Sequence, residues 1–273
     1  MDFVVGCTRG RLGEGGPLVL SPDGSPNGQC RLDLRAARFV EPLGLVEVVV
    51  RAEHHRRRGH SVQLLAPTDP SVANYLARMR LGWALTDLGV AHDLPYVREH
   101  QPARQLLELT YFESTAGSDQ LAATVYHRVA PDSAARARAL YTSLSEVGQN
   151  VPDHAGVTGG WAAAQATRRH GQMWFAVGDS GVGMRASLSS RGACSDADAL
   201  VMAVDRGLSR FATAGHGNGL VETCRLVTAQ EGRVHMTSGT SARTVSTLCR
   251  ATTARGTAVP GTLLQGSLPY RVG

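Results

Sequence analysis

Asp179 closes an apolar run, Met173 to Val177, and is followed by Gly181 and Gly183 with one residue between them. A carboxylate at a strand end followed by two glycines makes either a tight turn or a pocket. In a pocket the carboxylate accepts a donor and the bare backbone lets a ligand approach. Three other stretches carry related chemistry. Glu146 and Asn150 stand four residues apart in "SLSEVGQNV", so on a helix they share a face. One amide oxygen there suits Mg²⁺, which takes few protein ligands and keeps waters or phosphate oxygens. Gly215, Gly217 and Gly219 in "AGHGNGL" precede a helical pattern, where free N–H groups and the dipole favour an anion. "GTLLQGSLP" opens with Gly261-Thr262 ahead of an apolar run.

These residues need elements to hold them. The chain has 273 residues, ample for one or two domains with a real core. No apolar run reaches membrane-spanning length, and "MDFVVGCTRG" lacks the basic-then-apolar order of a secretory signal, so a cytoplasmic location is expected. The five scattered cysteines contain no CxxC and are expected as reduced, buried thiols. The net charge is +5, yet there is no lysine, which excludes P-loop, protein-kinase strand and Schiff-base lysines. The run "HHRRRGH" (54–60) has no interleaved aromatics, so it reads as the solvated end of a helix rather than a nucleic-acid surface.

Residues 1–27, broken by "GEGGP" and "SPDGSPNG", read as a hairpin and turn segment. Residues 28–105 read as an α/β domain: strand "CRLDLR", helix "GLVEVVVRAEHHRRRG" with a broad apolar face, strand "HSVQLLAP", and a helix capped by Asp69 with Pro70 in its first turn. Residues 106–273 read as a second unit, a mixed, mostly antiparallel sheet with helices on one face. Ala137, Leu140, Leu144, Val147 and Val151 form the stripe of its first helix. "WAAAQATR" and "QMWFAVGD" are expected as a strand pair, with a helix from about Asp196, another from about Gly219, and three further strands. The stretch 252–261 lacks apolar anchors and is expected as a loop.

In this order the four stretches resemble the boxes of the GHKL, or histidine-kinase-like, ATPase superfamily with its Bergerat α/β sandwich: "EVGQNVPDHA" (146–155), "DSGVG" (179–183), "GHGNG" (215–219) and "GTLLQG" (261–266), over residues 106–270. Asn150 followed by His154-Ala155 is most similar to the anti-sigma-factor serine kinases. No phosphoacceptor-histidine helix pair, as in sensor kinases, is found. The resemblance implies that the chain binds ATP and Mg²⁺. Asp179 would accept the adenine amino group; Gly181 and Gly183 would let adenine and ribose pass. Asn150 would hold Mg²⁺, Glu146 would orient or deprotonate the attacking water or hydroxyl, and residues 184–214 would form a lid. Gly215, Gly217 and Gly219 would bind phosphates, and Thr262 would touch the adenine side. Pro152 departs from the pattern: it costs the bond to the Gly148 carbonyl and is expected to kink the helix.

"LDLRAARFVEPLGLVEVVV" and "PTDPSVANYLARMRL" resemble a STAS domain, the fold of anti-anti-sigma factors. Switchable members carry a serine before the Gly-Leu that opens the helix. Here "EPLGL" (41–45) has no hydroxyl, which implies a domain built for docking rather than switching. The implied function is a slow ATPase or serine protein kinase of a partner-switching pathway. A regulatory protein of the anti-anti-sigma or sigma-like kind would be its partner, and a homodimer is compatible. The alternative is a non-catalytic, nucleotide-gated interaction module.

Overall fold

A computed structural model describes residues 2–7, 10–14, 18–23, 29–97, 106–167, 171–209 and 218–270, and the fold is mixed α/β. In the first half, β1 (Asp2–Cys7), β3 (Leu18–Asp23), β4 (Gln29–Asp33), β6 (Ser61–Leu65) and β7 (Ala91–His92) make a sheet in the order β3-β1-β4-β6-β7. Only β1 and β3 are antiparallel; the other pairings are parallel. The segment 1–27 is therefore not separate, because Phe3 to Gly6 pairs with Cys30 to Asp33. A small parallel pair joins β2 (Arg11–Leu12) to β5 (Phe39–Val40).

Helix α1 (Pro42–Arg57) follows β5, and α2 (Pro70–Arg78) follows β6. Asp69 caps α2 as its position predicts, its Oδ1 accepting from Ser71 N at 2.9 Å. The helical pattern then breaks: Arg80 takes a left-handed φ of 63° and α3 (Leu81–Asp87) starts afresh.

The second half builds a sheet from β8 (Leu106–Phe112), β9 (Gly160–Thr167), β10 (Gln172–Asp179), β11 (Arg233–Ser246) and β12 (Arg250–Pro269), in the order β11-β12-β10-β9-β8. Every pairing among these described strands is antiparallel, so the expected mixed sheet is corrected here; the mixed sheet is the first one. The expected loop 252–261 is part of β12. Its anchors are Val259, which is buried, and Arg255, whose Nη2 donates to Glu47 Oε1 at 3.0 Å.

Helices α4 (Thr115–Val129), α5 (Ala134–His154), α7 (Asp196–Arg206) and α8 (Asn218–Ala229) share one apolar core with this sheet. The α5 stripe is buried as its spacing predicts. The helix runs through Pro152 for another turn, with Ala155 N donating to Val151 O at 3.0 Å. Helix α4 has no counterpart in the sequence reading. Ser114 caps it, accepting from Gly117 N at 3.1 Å, and Ala122, Val125 and Val129 face inward.

The other face of the second sheet is covered too, which corrects the expectation of helices on one face. Helix α1 packs on β9, β10 and β12, and Trp161, Ala163, Ala176 and Leu263 belong to the same core as Leu45, Val46 and Val49. The two halves on either side of residue 105 thus share one interior. Every residue of α1 from Pro42 to Glu53 is buried, so its buried face is the whole circumference. The charges it carries inward are met by both halves. Glu47 Oε1 accepts from Arg51 Nε at 3.0 Å and Nη2 at 2.8 Å, and from Arg255; Arg51 Nη1 donates to Ala258 O at 3.0 Å. Gln265 of β12 accepts from Leu43 N at 3.0 Å and donates to Glu41 Oε2 at 2.9 Å. Of the cysteines, Cys30 and Cys224 are buried free thiols, whereas Cys194 and Cys249 are exposed.

The fit of α1 on the sheet is tightest at Gly178, where an added Cβ would lie 2.7 Å from Val46 Cγ1 and 2.5 Å from Leu263 Cδ2. Gly178→Ala is expected to cost about 1–3 kcal/mol in urea unfolding by overpacking this seam. Gly256→Ala, on the same sheet with nothing within 4 Å of the new Cβ, is expected to stay within about 0.5 kcal/mol of the parent. Equal effects would mean that α1 does not press on β10.

Candidate functional site

Antiparallel register sets Asp179, the last residue of β10, opposite Thr262 of β12. The Asp179 carboxylate is 6 % exposed and accepts from Gly181 N at 2.8 Å and from the Thr262 backbone N–H. Burial, against those two hydrogen bonds and with a small contribution from Glu53, pushes its pKa up to about 7. Gly261 makes this packing possible. It has φ +65°, and any Cβ there would strike the Asp179 carbonyl oxygen and Oδ1.

Beside Asp179 lies a narrow pocket, partly open to solvent, between the sheet and the helices. Asn150, Asp179, Gly183, Gly219 and Thr262 line it, so five residues from four distant stretches meet at one place. Two further candidates sit at its margin. Gly181 faces the neighbouring groove, and its missing side chain is required by the Ala155 carbonyl, which a Cβ would strike; Val182 N donates to that carbonyl at 2.9 Å. Glu146 lies behind Gly219, where its Oε2 fills the space a Cβ would take, against the first turn of α8. Gly215 and Gly217 lie outside the described residues.

Asn150 Nδ2 donates to Glu146 O at 2.9 Å, which leaves Oδ1 as the acceptor end of the amide. Among the described residues no group of three His, Cys, Asp or Glu side chains could hold a metal. A cation here would need a hard ion content with one amide oxygen and ligands from elsewhere, and Mg²⁺ fits that donor set.

The walls were not foreseen from the sequence. Met184, Leu188, Ala203, Leu208, Leu220 and Met236 give the pocket an apolar lining suited to a flat ring. Several come from the stretch expected as a lid. Its described part is instead fixed to the sheet. Ala199, Leu200, Ala203 and Val204 of α7 are buried, Asp196 Oδ2 accepts from Thr240 N at 2.8 Å, and Asp205 pairs with Arg243 and Arg250 at 2.5 and 2.8 Å. Helix α6 (Gly183–Ser187) is tied down by Met184 N donating to Ser238 Oγ at 2.9 Å, while that hydroxyl donates to Gly261 O at 2.8 Å. The signal for the wall was the apolar stripe of α7, which marks a core helix.

Set against models of known protein families, curated proteins and solved structures, the chain has no match.

The raised pKa of Asp179 makes a stability prediction. The folded chain holds this proton up to about pH 7, whereas an unfolded aspartate loses it near 3.8. Its stabilising contribution is fully present below the lower value and is lost as pH rises to the higher one. Asp179→Asn removes the titration, so between pH 4 and 8 the variant should gain on the parent by up to about 4 kcal/mol. Urea unfolding over that range tests this. Parallel stability curves would mean that Asp179 is ionised normally.

Proposed function

We propose that the chain binds an adenine nucleotide with Mg²⁺ in this pocket, in the manner of a GHKL-type Bergerat sandwich. The observation that carries the reading is the convergence of Asn150, Asp179, Gly183, Gly219 and Thr262 on one apolar pocket with a buried carboxylate at its end. Asp179 accepts the exocyclic amino group; the ring lies against Met184, Leu188 and Met236. Asn150 Oδ1 holds Mg²⁺ toward the phosphates, where the ion supplies charge neutralisation. The N-terminus of α8 adds its N–H groups on the phosphate side.

The first half is proposed as a STAS-like domain that docks within its own chain. The helix-opening residues 41–45 are all buried, and Leu43 N is held by Gln265. A regulatory protein of the anti-anti-sigma or sigma-like kind, as partner, would therefore meet another surface. Among the described residues no helix is long and apolar enough to cross a membrane.

Two activities fit such a site. Hydrolysis or serine phosphorylation would use Glu146 to orient or deprotonate the attacking group, since phosphoryl transfer needs mainly positioning and charge neutralisation. A nucleotide-gated interaction module without turnover is favoured by the place of Glu146 behind Gly219 rather than on the pocket lining.

Isothermal titration with ATP and Mg²⁺ should give binding by the parent protein. Asp179→Asn turns a donor toward the adenine amino group, a buried mismatch of about 1–3 kcal/mol, or roughly 5- to 150-fold in affinity. Equal binding by both proteins, or by neither, would sink the pocket assignment. Asn150→Ala should weaken ATP binding only when Mg²⁺ is present. For turnover, Glu146→Gln should keep ATP binding and slow phosphate release by about 10²–10⁴-fold. Phosphate release that is absent with every protein partner tried, and unchanged by this substitution, would leave the gated module as the function.

A further inference from the structure

The basic run that ends α1 has no role in the site above, yet the fold brings it next to the Asp179 turn. A second, open groove lies against residues 180–183, with Ala155 and Gly183 common to both cavities. Arg57 and Arg58 enter it from the last turn of α1 and Arg185 from α6. All three are exposed. Among the described residues neither Arg58 nor Arg185 has a carboxylate within ion-pair distance, and the contact Arg57 makes is to Ser180 Oγ at 3.4 Å. Asp196 is the acidic residue on the lining, and its Oδ2 is already taken by Thr240 N and Oγ1 at 2.8 and 2.9 Å. Burial, then Arg58, Arg51 and Arg57, lower the His54 pKa to about 4, so at neutral pH His54 offers the groove a ring nitrogen and no charge.

Three guanidiniums face one space against one lining carboxylate, Asp196, among the described residues, and an anion between them offsets the excess positive charge. Guanidinium forks pair best with planar or tetrahedral oxyanions, two N–H groups to two oxygens. Cations approaching from two elements suit a group with three outward oxygens better than a carboxylate with two. We propose that this groove is a second binding site, specific for a phosphate group, and that its occupancy is relayed to the Asp179 turn through Arg57, Ser180 and Glu53.

The relay runs through long hydrogen bonds of 3.4 Å, which a small shift makes or breaks. Ser180 is 6 % exposed and adjoins Asp179; its hydroxyl is within hydrogen-bonding reach of Glu53, which also accepts from Trp161 Nε1 at 3.4 Å. Burial raises the Glu53 pKa, with Ser180, Trp161 and Arg57 opposing it. Drawing Arg57 toward a phosphate takes it from Ser180 Oγ and removes the smallest of those three contributions, leaving the Ser180 hydroxyl free to reorient against Glu53. None of this depends on what the first pocket binds.

The phosphate has two possible sources, a free anion or a phosphorylated side chain of another protein, and titrations of the full chain separate them. Inorganic phosphate and a phosphoserine peptide are each titrated calorimetrically at low salt. Arg58→Gln/Arg185→Gln should weaken binding about tenfold or more by removing two charge-assisted contacts, with an unchanged melting temperature. Arg206→Gln, which removes an exposed arginine outside the groove, should leave phosphate binding intact. Tighter binding of the peptide than of free phosphate assigns the site to a phosphorylated protein; equal binding assigns it to the small anion. Absence of binding by the parent, or unweakened binding by the double arginine variant, overturns the site. The relay is read from tryptophan fluorescence, with Trp161→Phe identifying the Trp161 contribution. Phosphate should change that signal in the parent but not in Arg57→Gln, and an identical change in both overturns the relay.

Discussion

The charges that α1 carries into the interior have to be answered from the far end of the chain, and the architecture follows from that requirement. Glu47 alone would be a buried carboxylate at a cost of several kcal/mol. Arg51 answers it from one turn along the helix, and Arg255 and the Ala258 carbonyl join the cluster from β12, with Glu47 Oε2 left without a hydrogen-bond partner among the described residues. A buried ion cluster of this kind adds little net stability. It does fix register, because α1 can slide along the sheet only by breaking it.

The same seam reaches the candidate site. Gly178 must be bare for α1 to sit on β10, and the next residue is Asp179. Further along the helix from Glu47's partner Arg51, Glu53 and Arg57 meet Ser180 from the other side. The carboxylate thus stands where a strand end, a glycine of β12 and the tail of a helix from the other half are packed together. Its raised pKa is a consequence of that burial. The pocket and the interface between the halves are one construction.

What could be read in the sequence was what depends on near neighbours. The α5 stripe, the Asp69 cap and the strand running into Asp179 are local patterns, and each is present. Co-location of Asn150, Asp179 and Thr262 was legible only through their order along the chain. Residues 252–261 read as a loop because their anchor, Glu47, is 208 positions away. The all-round burial of α1 was invisible for a similar reason: Glu47, Arg51 and Glu53 mark a solvated face unless their partners are known. Helix α4 was missed although Ser114 and Ala122, Val125 and Val129 signal it, since Gly117 and the small residues around it weaken the pattern. Glu146 has the spacing expected of a partner to Asn150, but its side chain direction depends on how α8 packs.

The route of β12 also governs when the interior can close. Arg51 finds the Ala258 carbonyl 207 residues further along, and Leu263 follows later still. Synthesis at about 5–20 residues per second leaves α1 waiting roughly ten seconds or more for these partners after it leaves the ribosome. Over that interval Val46, Val49 and a Glu47 answered by Arg51 alone have only the first sheet for cover. Contacts of such long sequence separation form slowly in any case, because loop closure must precede them. The first half therefore keeps apolar surface uncovered until β12 is made, and its interior closes only with the last strand.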